Sequence, residues 1–216
     1  MLLNLIRKDF LLIKKYIPIM FIIAVVVPFY LNTRAAGTFM EGSFFNFFLT
    51  TLYIQYLMFN SVSLAEYKNK GNALLCALPY TRKAFITSKY CFLLIIFIGC
   101  LLIYSAVTLL VLGQTAMLSI AQIVLSFSLL SFVFSLLIPA QIHFGYEKSK
   151  FIFAVFIVAT PFVMPQIIKL LQQNNASMPA AASGLQSFDV LMLVAALVAL
   201  IVSHQVSNRF YGMKSL

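Results

Sequence analysis

Six stretches of this chain, residues 16–33, 44–65, 90–112, 120–142, 151–168 and 190–207, contain no Asp, Glu, Lys or Arg. Each runs 18 to 23 residues. About 20 apolar residues in a helix cross the hydrocarbon layer of a bilayer. In that layer only a helix or a closed barrel satisfies every backbone N–H and C=O. Apolar runs of this length, without alternating polar positions, read as helices. The expected fold class is therefore an all-α membrane protein with six transmembrane helices, forming a single transmembrane domain over residues 1–216 with no linker.

Composition sharpens the exclusions. The chain is 62% hydrophobic and 9% charged, whereas a soluble domain runs near 45–50% and about 25%. That excess is too large for one buried core. It excludes a secreted disulfide scaffold, a nucleic-acid-binding domain and an ordinary soluble enzyme. Cys76, Cys91 and Cys100 are odd in number and show no CxxC spacing, so neither a disulfide framework nor a zinc site is expected. Trp is absent, leaving tyrosine as the interfacial aromatic. Tyr16, Tyr30, Tyr67, Tyr80, Tyr90, Tyr146 and Tyr211 fall at or near the ends of the apolar stretches.

The charges set an orientation. Lys and Arg number 15 against 5 acids, a formal +10. With six crossings, one side holds Arg7, Lys8, Lys14, Lys15, Lys68, Lys70, Arg82, Lys83, Lys89, Lys148, Lys150, Arg209 and Lys214, thirteen of the fifteen; the other holds Arg34 and Lys169. Basic residues stay in cytoplasmic loops, so both termini are expected in the cytoplasm, with the chain in the cell membrane of a bacterium.

Residues 1–15, MLLNLIRKDFLLIKK, are too charged to cross. On a helical wheel Asn4, Arg7, Lys8, Lys14 and Lys15 share one side, with Leu11 intruding, while Leu2, Leu3, Leu5, Ile6, Phe10, Leu12 and Ile13 fill the rest. This is a basic amphipathic helix lying in the inner interface. Asp9 falls in the apolar arc, where a lone carboxylate is costly, so a basic partner from a neighbouring loop is expected. The segment resembles the start of a signal peptide, but TRAAG after the first crossing has no clean small-x-small cleavage site, so the span is read as uncleaved.

Much familiar chemistry is missing. No crossing carries a charge near its middle for ion coupling. His143 and His204 sit near inner ends, isolated in sequence, and read as interfacial. No HExxH, Ser/His or paired-Asp pattern suggests intramembrane proteolysis. Gly37 to Gly42 has phosphate-loop spacing, but Ser43 stands where lysine should, on the outer side. Asn175-Ala176-Ser177 fits a glycosylation sequon and reads as coincidence in a bacterial chain. Energy for uphill transport must then come from a partner; a passive or structural role stays open as well.

Residues 66–89 form a longer interruption than two antiparallel helices need. Gly71 and Asn72 precede an apolar run, Ala73-Leu74-Leu75-Cys76-Ala77-Leu78, stopped by Pro79. Thr81 can cap a following helix ahead of Arg82 and Lys83. A one- to two-turn helix with an exposed apolar side suits docking into a groove on a soluble partner. It suits anchoring the loop in lipid equally well, and the residues alone leave both readings open.

These residues resemble the membrane subunits of ABC exporters of the ABC-2 permease type. The likeness lies in LIRKDF, in EYKNKGNALLCALPYTRK with a following SKY, and in the six-span layout, and it covers essentially the whole chain. Leu78-Pro79-x-x-Arg82 and Ser88-Lys89-Tyr90 are its most specific parts. The compact size is similar to Gram-positive peptide exporters such as those for phenol-soluble modulins. The resemblance implies an elbow helix over residues 1–15, including Arg7, Lys8, Asp9 and Phe10. It also implies a short cytoplasmic coupling helix near residues 71–80. There Gly71, Asn72, Ala73, Leu74, Leu75, Cys76, Ala77, Leu78, Pro79, Tyr80, Arg82 and Lys83 would contact a separate ATP-binding subunit. This run is more apolar than a coupling helix usually is. Glu147, Lys148 and Lys150 form either a second contact or a solvated turn.

The resemblance further implies that this chain is not itself an enzyme. Two ATP-binding subunits would carry ATP and Mg, and a second permease copy or a paralogue would complete the pore. The bilayer is the remaining partner; no nucleic acid is expected. Ser128, Ser131 and Ser135 follow Ala121 on one face of the fourth crossing and suit close helix packing or the lining of a cargo path. Tyr53, Gln55, Tyr56, Phe59 and Asn60 in the second crossing suit a subunit interface, a cavity or helix–helix hydrogen bonding. An aromatic, uncharged lane suits amphipathic or hydrophobic cargo, with a peptide toxin or antimicrobial the foremost class. The rival reading is an ATP-independent channel, a flippase or an assembly tether.

Overall fold

The computed structural model describes residues 2–34, 43–68, 82–112, 118–151, 153–155, 157, 159–160, 166 and 187–213. Among them there are helices and turns and no strand. The helices are α1 (Leu2–Leu12), α2 (Ile17–Arg34), α3 (Ser43–Lys68), α4 (Arg82–Val107), α5 (Ile120–Phe144) and α6 (Ser187–Met213), with α4 running on into a π-helical turn at Thr108–Leu112. A further helical stretch starts at residue 146.

Four helices are long and apolar enough to cross a membrane, Ser43–Lys68, Lys83–Leu110, Ile120–Phe144 and Asp189–Phe210. The count is five if the bent pair Leu3–Leu12 and Ile17–Tyr30, which turns by 79°, is one span. Most of the stretch expected to cross at 151–168 lies outside the described residues, so six crossings are not seen here. The helices also outrun the apolar stretches. α3 continues to Lys68 and α4 begins at Arg82, eight residues before the charge-free stretch at 90. Hydropathy marks where lipid begins, whereas a helix keeps its hydrogen bonds on into the interface.

Few special devices mark the ends. α5 opens with a capping box: Ser119 accepts from the Gln122 backbone N–H, and the Gln122 side chain accepts from that of Ser119. Gly145 closes α5 with φ +79°, a conformation that glycine takes without strain.

Lipid tails are as apolar as leucine, so burial alone does not hold transmembrane helices together; close packing and hydrogen bonds must. The aromatic residues supply the first. Phe47 meets Phe97 at 5.9 Å and Tyr104 at 5.2 Å, Phe97 meets Phe127 at 5.4 Å, and Phe59 meets Phe134 at 6.2 Å, all edge to face. These contacts knit α3, α4 and α5 into one core, which Phe153 and Ile157 extend. The most extensive pairing is α5 against α6. Small residues allow it: Ala196, Ser203 and Ser207 are buried on α6, and Ser203 Oγ donates to the Ser135 carbonyl at 2.6 Å.

α1 is bent away from α2 and lies across α3 and α4. Leu5 and Asp9 form its buried stripe, which Ile13 continues into the turn that follows, while Leu3, Arg7 and Leu11 on the helix and Lys14 and Lys15 in the turn are exposed. The same end of the bundle receives the C-terminus of α3, the first turns of α4, the junction after α5 and the C-terminal half of α6. Contacts of Lys8 with Glu66, Tyr67 with Glu147, and His143 with Phe210 establish this. The described basic segments therefore share one end.

Candidate functional site

At the basic end, two lysines and two carboxylates close a ring. Lys8 Nζ lies 2.7 Å from Glu66 Oε1 and 3.1 Å from Asp9 Oδ1. Lys89 Nζ lies 2.8 Å from the same Glu66 oxygen and 3.4 Å from the same Asp9 oxygen. Asp9 is 0% exposed and Lys89 6%. Both ammonium groups also sit over the Phe85 ring, at 5.3 and 5.1 Å from its centroid. Charges taken this far from water persist only when paired, and the quartet is net neutral. Burial pulls the Lys8 ammonium pKa down, but the Glu66 and Asp9 carboxylates outweigh it and leave that pKa raised.

Sequence spacing explains half of this arrangement. Asp9 follows Leu5 by four residues, so the helix that buries Leu5 must bury Asp9. A basic partner was expected from a neighbouring loop. The partners are Lys8 from the preceding position on α1 and Lys89 from two turns inside α4. Glu66 and Lys89 flank residues 69–81, the segment to which the docking helix was assigned, and α1 is bonded to both of them.

Gly71, Asn72, Ala73, Leu74, Leu75, Cys76, Ala77, Leu78, Pro79 and Tyr80, with Thr81, lie outside the described residues. Arg82 and Lys83 open α4, and Lys83 is exposed. Of the α1 residues, Arg7 is exposed, Lys8 and Asp9 join the quartet, and Phe10 packs edge to face on Phe92 at 5.1 Å. The junction after α5 meets α3: Tyr67 Oη donates to Glu147 Oε1 at 2.7 Å, and Tyr67 stacks on Tyr146 at 5.5 Å. Lys148 is exposed, and Lys150 lies 4.9 Å over the Phe151 ring.

The polar residues of the crossings take different roles. Tyr56 and Phe59 are in the aromatic core, Tyr53 Oη reaches the Ile157 carbonyl at 3.5 Å, and Asn60 is half-buried. Gln55, 3% exposed, donates from Nε2 to the Leu93 carbonyl at 3.1 Å, a bond between helices. Ser128 and Ser135 bond back to the carbonyls of Val124 and Phe132 in their own helix. Ser131 has no such bond among the described residues.

Gln55 and Ser131 line a half-open cleft of about 330 Å³ between α3, α4, α5 and α6. Its walls are mainly Leu93, Phe97, Phe127, Leu130 and Phe134, and among the described residues no Asp, Glu, Lys or Arg lines it. Such a space accepts apolar matter with uncharged polar groups.

His204, on its rim, is less isolated than its sequence context suggests. Asn208 Nδ2 donates to Nδ1 at 3.3 Å, and Nε2 lies 3.0 Å from Thr87 Oγ1, whose own hydrogen goes to the Lys83 carbonyl at 2.9 Å. That pattern assigns the hydrogen to Nε2. Tyr90 Oη, 2.6 Å from Ser203 Oγ, completes a polar seam between α4 and α6. Sequence reasoning missed this seam because its members stand over 100 positions apart; three polar residues at 203, 204 and 207 in an apolar helix were the available signal. Among the described residues, no group of three His, Cys, Asp or Glu could hold a metal ion.

A family model described as ABC-2 family transporter protein matches residues 4–212. No curated protein and no solved structure matches the chain significantly.

Proposed function

The chain belongs to the ABC-2 transporter family, and from that premise we propose that it is the permease subunit of an ATP-driven exporter, coupled to a separate ATP-binding subunit at its basic end. The reading rests on one observation above all. The quartet Lys8–Asp9–Glu66–Lys89, in which Asp9 and Lys89 are buried, joins α1 to the two helices that enter and leave residues 69–81.

In this reading residues 71–80 form the coupling helix and α1 the elbow. A push on the coupling helix would otherwise be lost in bending its two connections. With Glu66 bonded to Lys89, and both bonded to α1, the push moves the ends of α3 and α4 together. The Tyr67–Glu147 bond carries the same displacement to the junction after α5. Six crossings with both termini in the cytoplasm, two permease copies or a paralogous pair, and two ATPase subunits complete the proposed assembly. The uncharged cavity beside Gln55 and Ser131 supports hydrophobic or amphipathic cargo, with a peptide toxin or antimicrobial as the first class to try.

The test is co-purification with a candidate ATP-binding subunit, followed by charged replacements of Leu74, Leu75 and Leu78. Loss of assembly and of ATP-driven export in a folded variant is expected. Retained assembly and export would overturn the coupling role, and export without any ATPase would favour the channel or flippase reading.

A further inference from the structure

We propose that the corner between α1 and α2 binds one anionic phospholipid, with an acyl chain in a slot between α2 and α4 and the headgroup on the basic corner beside it. This goes beyond the transport reading and does not depend on it.

The slot has a volume of about 200 Å³. Met20 and Ala24 of α2, Ile54 and Met58 of α3, and Ile96 and Cys100 of α4 form its buried floor. Ile17, Phe21 and Ile95 form an exposed rim, so the slot opens outward to the surrounding lipid rather than inward to the bundle. Among the described residues no charged side chain lines it. The lining runs from Ile17 to Ala24 on α2 and from Ile95 to Ile103 on α4, which at 1.5 Å per residue is about 10–12 Å along the membrane normal. So small a volume over that length is one chain wide. It fits a hydrocarbon tail and is too narrow for a folded peptide.

Gly99 keeps the slot open. A Cβ built there would meet nothing within 4 Å, and the backbone is ordinary helix, so neither crowding nor conformation calls for glycine. Glycine in a helix interior is unfavourable, and what it leaves here is space.

The charge lies at the mouth. Residues 13–16 turn the chain between α1 and α2, and Lys14 and Lys15 stand immediately before Ile17, where the slot begins. Both are exposed, as is Arg7. The nearby acids Asp9 and Glu66 are engaged by Lys8 and Lys89, and no described carboxylate lies within 4 Å of Arg7, Lys14 or Lys15. Cations at headgroup depth without carboxylate partners attract anionic lipid. A zwitterionic headgroup brings its own cation and gains less.

The test uses the full chain purified in detergent and given phosphatidylglycerol or phosphatidylcholine with identical tails. Native mass spectrometry counts bound lipid, and thermal unfolding reads stabilisation. The wild type should retain one phosphatidylglycerol per chain, with a rise in Tm that phosphatidylcholine does not give. Gly99→Leu should stay folded, because its side chain enters open space, and should lower retention at least tenfold. The double variant Lys14→Gln, Lys15→Gln, altered only at exposed positions, should bind both lipids equally. Equal retention of the two lipids by the wild type would mark an ordinary annular contact and overturn the proposal. So would undiminished retention in folded Gly99→Leu, or an unchanged lipid preference in the double glutamine variant.

Discussion

Glu66 and Lys89, 23 positions apart in the chain, meet at 2.8 Å across the base of the segment 69–81. Asp9 and Lys8 close the same ring from α1. A segment whose two ends are bonded to each other and to a third helix cannot move without moving all three. The predictions below follow from this and from the contacts around it.

Asp9→Asn leaves Lys89 short of one counter-charge in a buried place. Removing one partner of a buried ion pair costs about 3–5 kcal/mol. The double variant Asp9→Asn, Lys89→Met removes a neutral pair and leaves Lys8 on Glu66, so it should cost less than the two single changes summed. Denaturant titration of all four forms gives the coupling directly. Additive losses would show that the ring does not act as a unit.

Gln55 makes its bond to a carbonyl that the helix already uses, and its Oε1 is buried without a partner among the described residues. Gln55→Leu therefore strands no donor and should change stability by less than about 1.5 kcal/mol. Gln55→Ala enlarges the adjoining cavity and should cost more. Thermal unfolding of the two variants side by side gives the order.

Ser203 donates to the Ser135 carbonyl, so it accepts from Tyr90. Ser203→Ala leaves Tyr90 the Ser207 hydroxyl at 3.3 Å and should cost about 0.5–1.5 kcal/mol. Ser203→Leu forces a bulky side chain into the most extensive helix pairing and should cost about 1–3 kcal/mol or more. If leucine proves as mild as alanine, the two backbones are not held in close approach there.

Orientation can be read by thiol labelling of cysteines placed in a background lacking Cys76, Cys91 and Cys100. Lys148→Cys should react only from the cytoplasm and Ser177→Cys only from outside. Reaction of both from one side would remove a crossing from the proposed topology.

Asp9 shows how far the sequence reaches. Its place four residues after Leu5 on an amphipathic helix required both burial and a cation, because an unpaired buried carboxylate is untenable. Which cation was not legible. Lys89 answers from 80 positions away, and only the crossing of α1 over α4 brings it near. Helix ends were legible only as lipid boundaries: the charge-free stretch starts at residue 90, yet the helix starts at Arg82. His204 shows the opposite failure. Read alone it looks like an interfacial histidine; Asn208 stands one turn on along its own helix, but Thr87 comes within reach only when α4 and α6 pack.

The sequence by itself determined that this chain is helical and crosses a membrane. Those properties follow from local counts: how many apolar residues succeed one another, and where the charges interrupt them. The ABC-2 family was also legible there, in short motifs. The closed ring of charges, the empty slot at Gly99 and the uncharged cavity beside Gln55 were decided by tertiary structure. Each depends on which helix faces are neighbours, and in lipid that choice turns on shape and hydrogen bonding between distant residues, which hydropathy along the chain does not record.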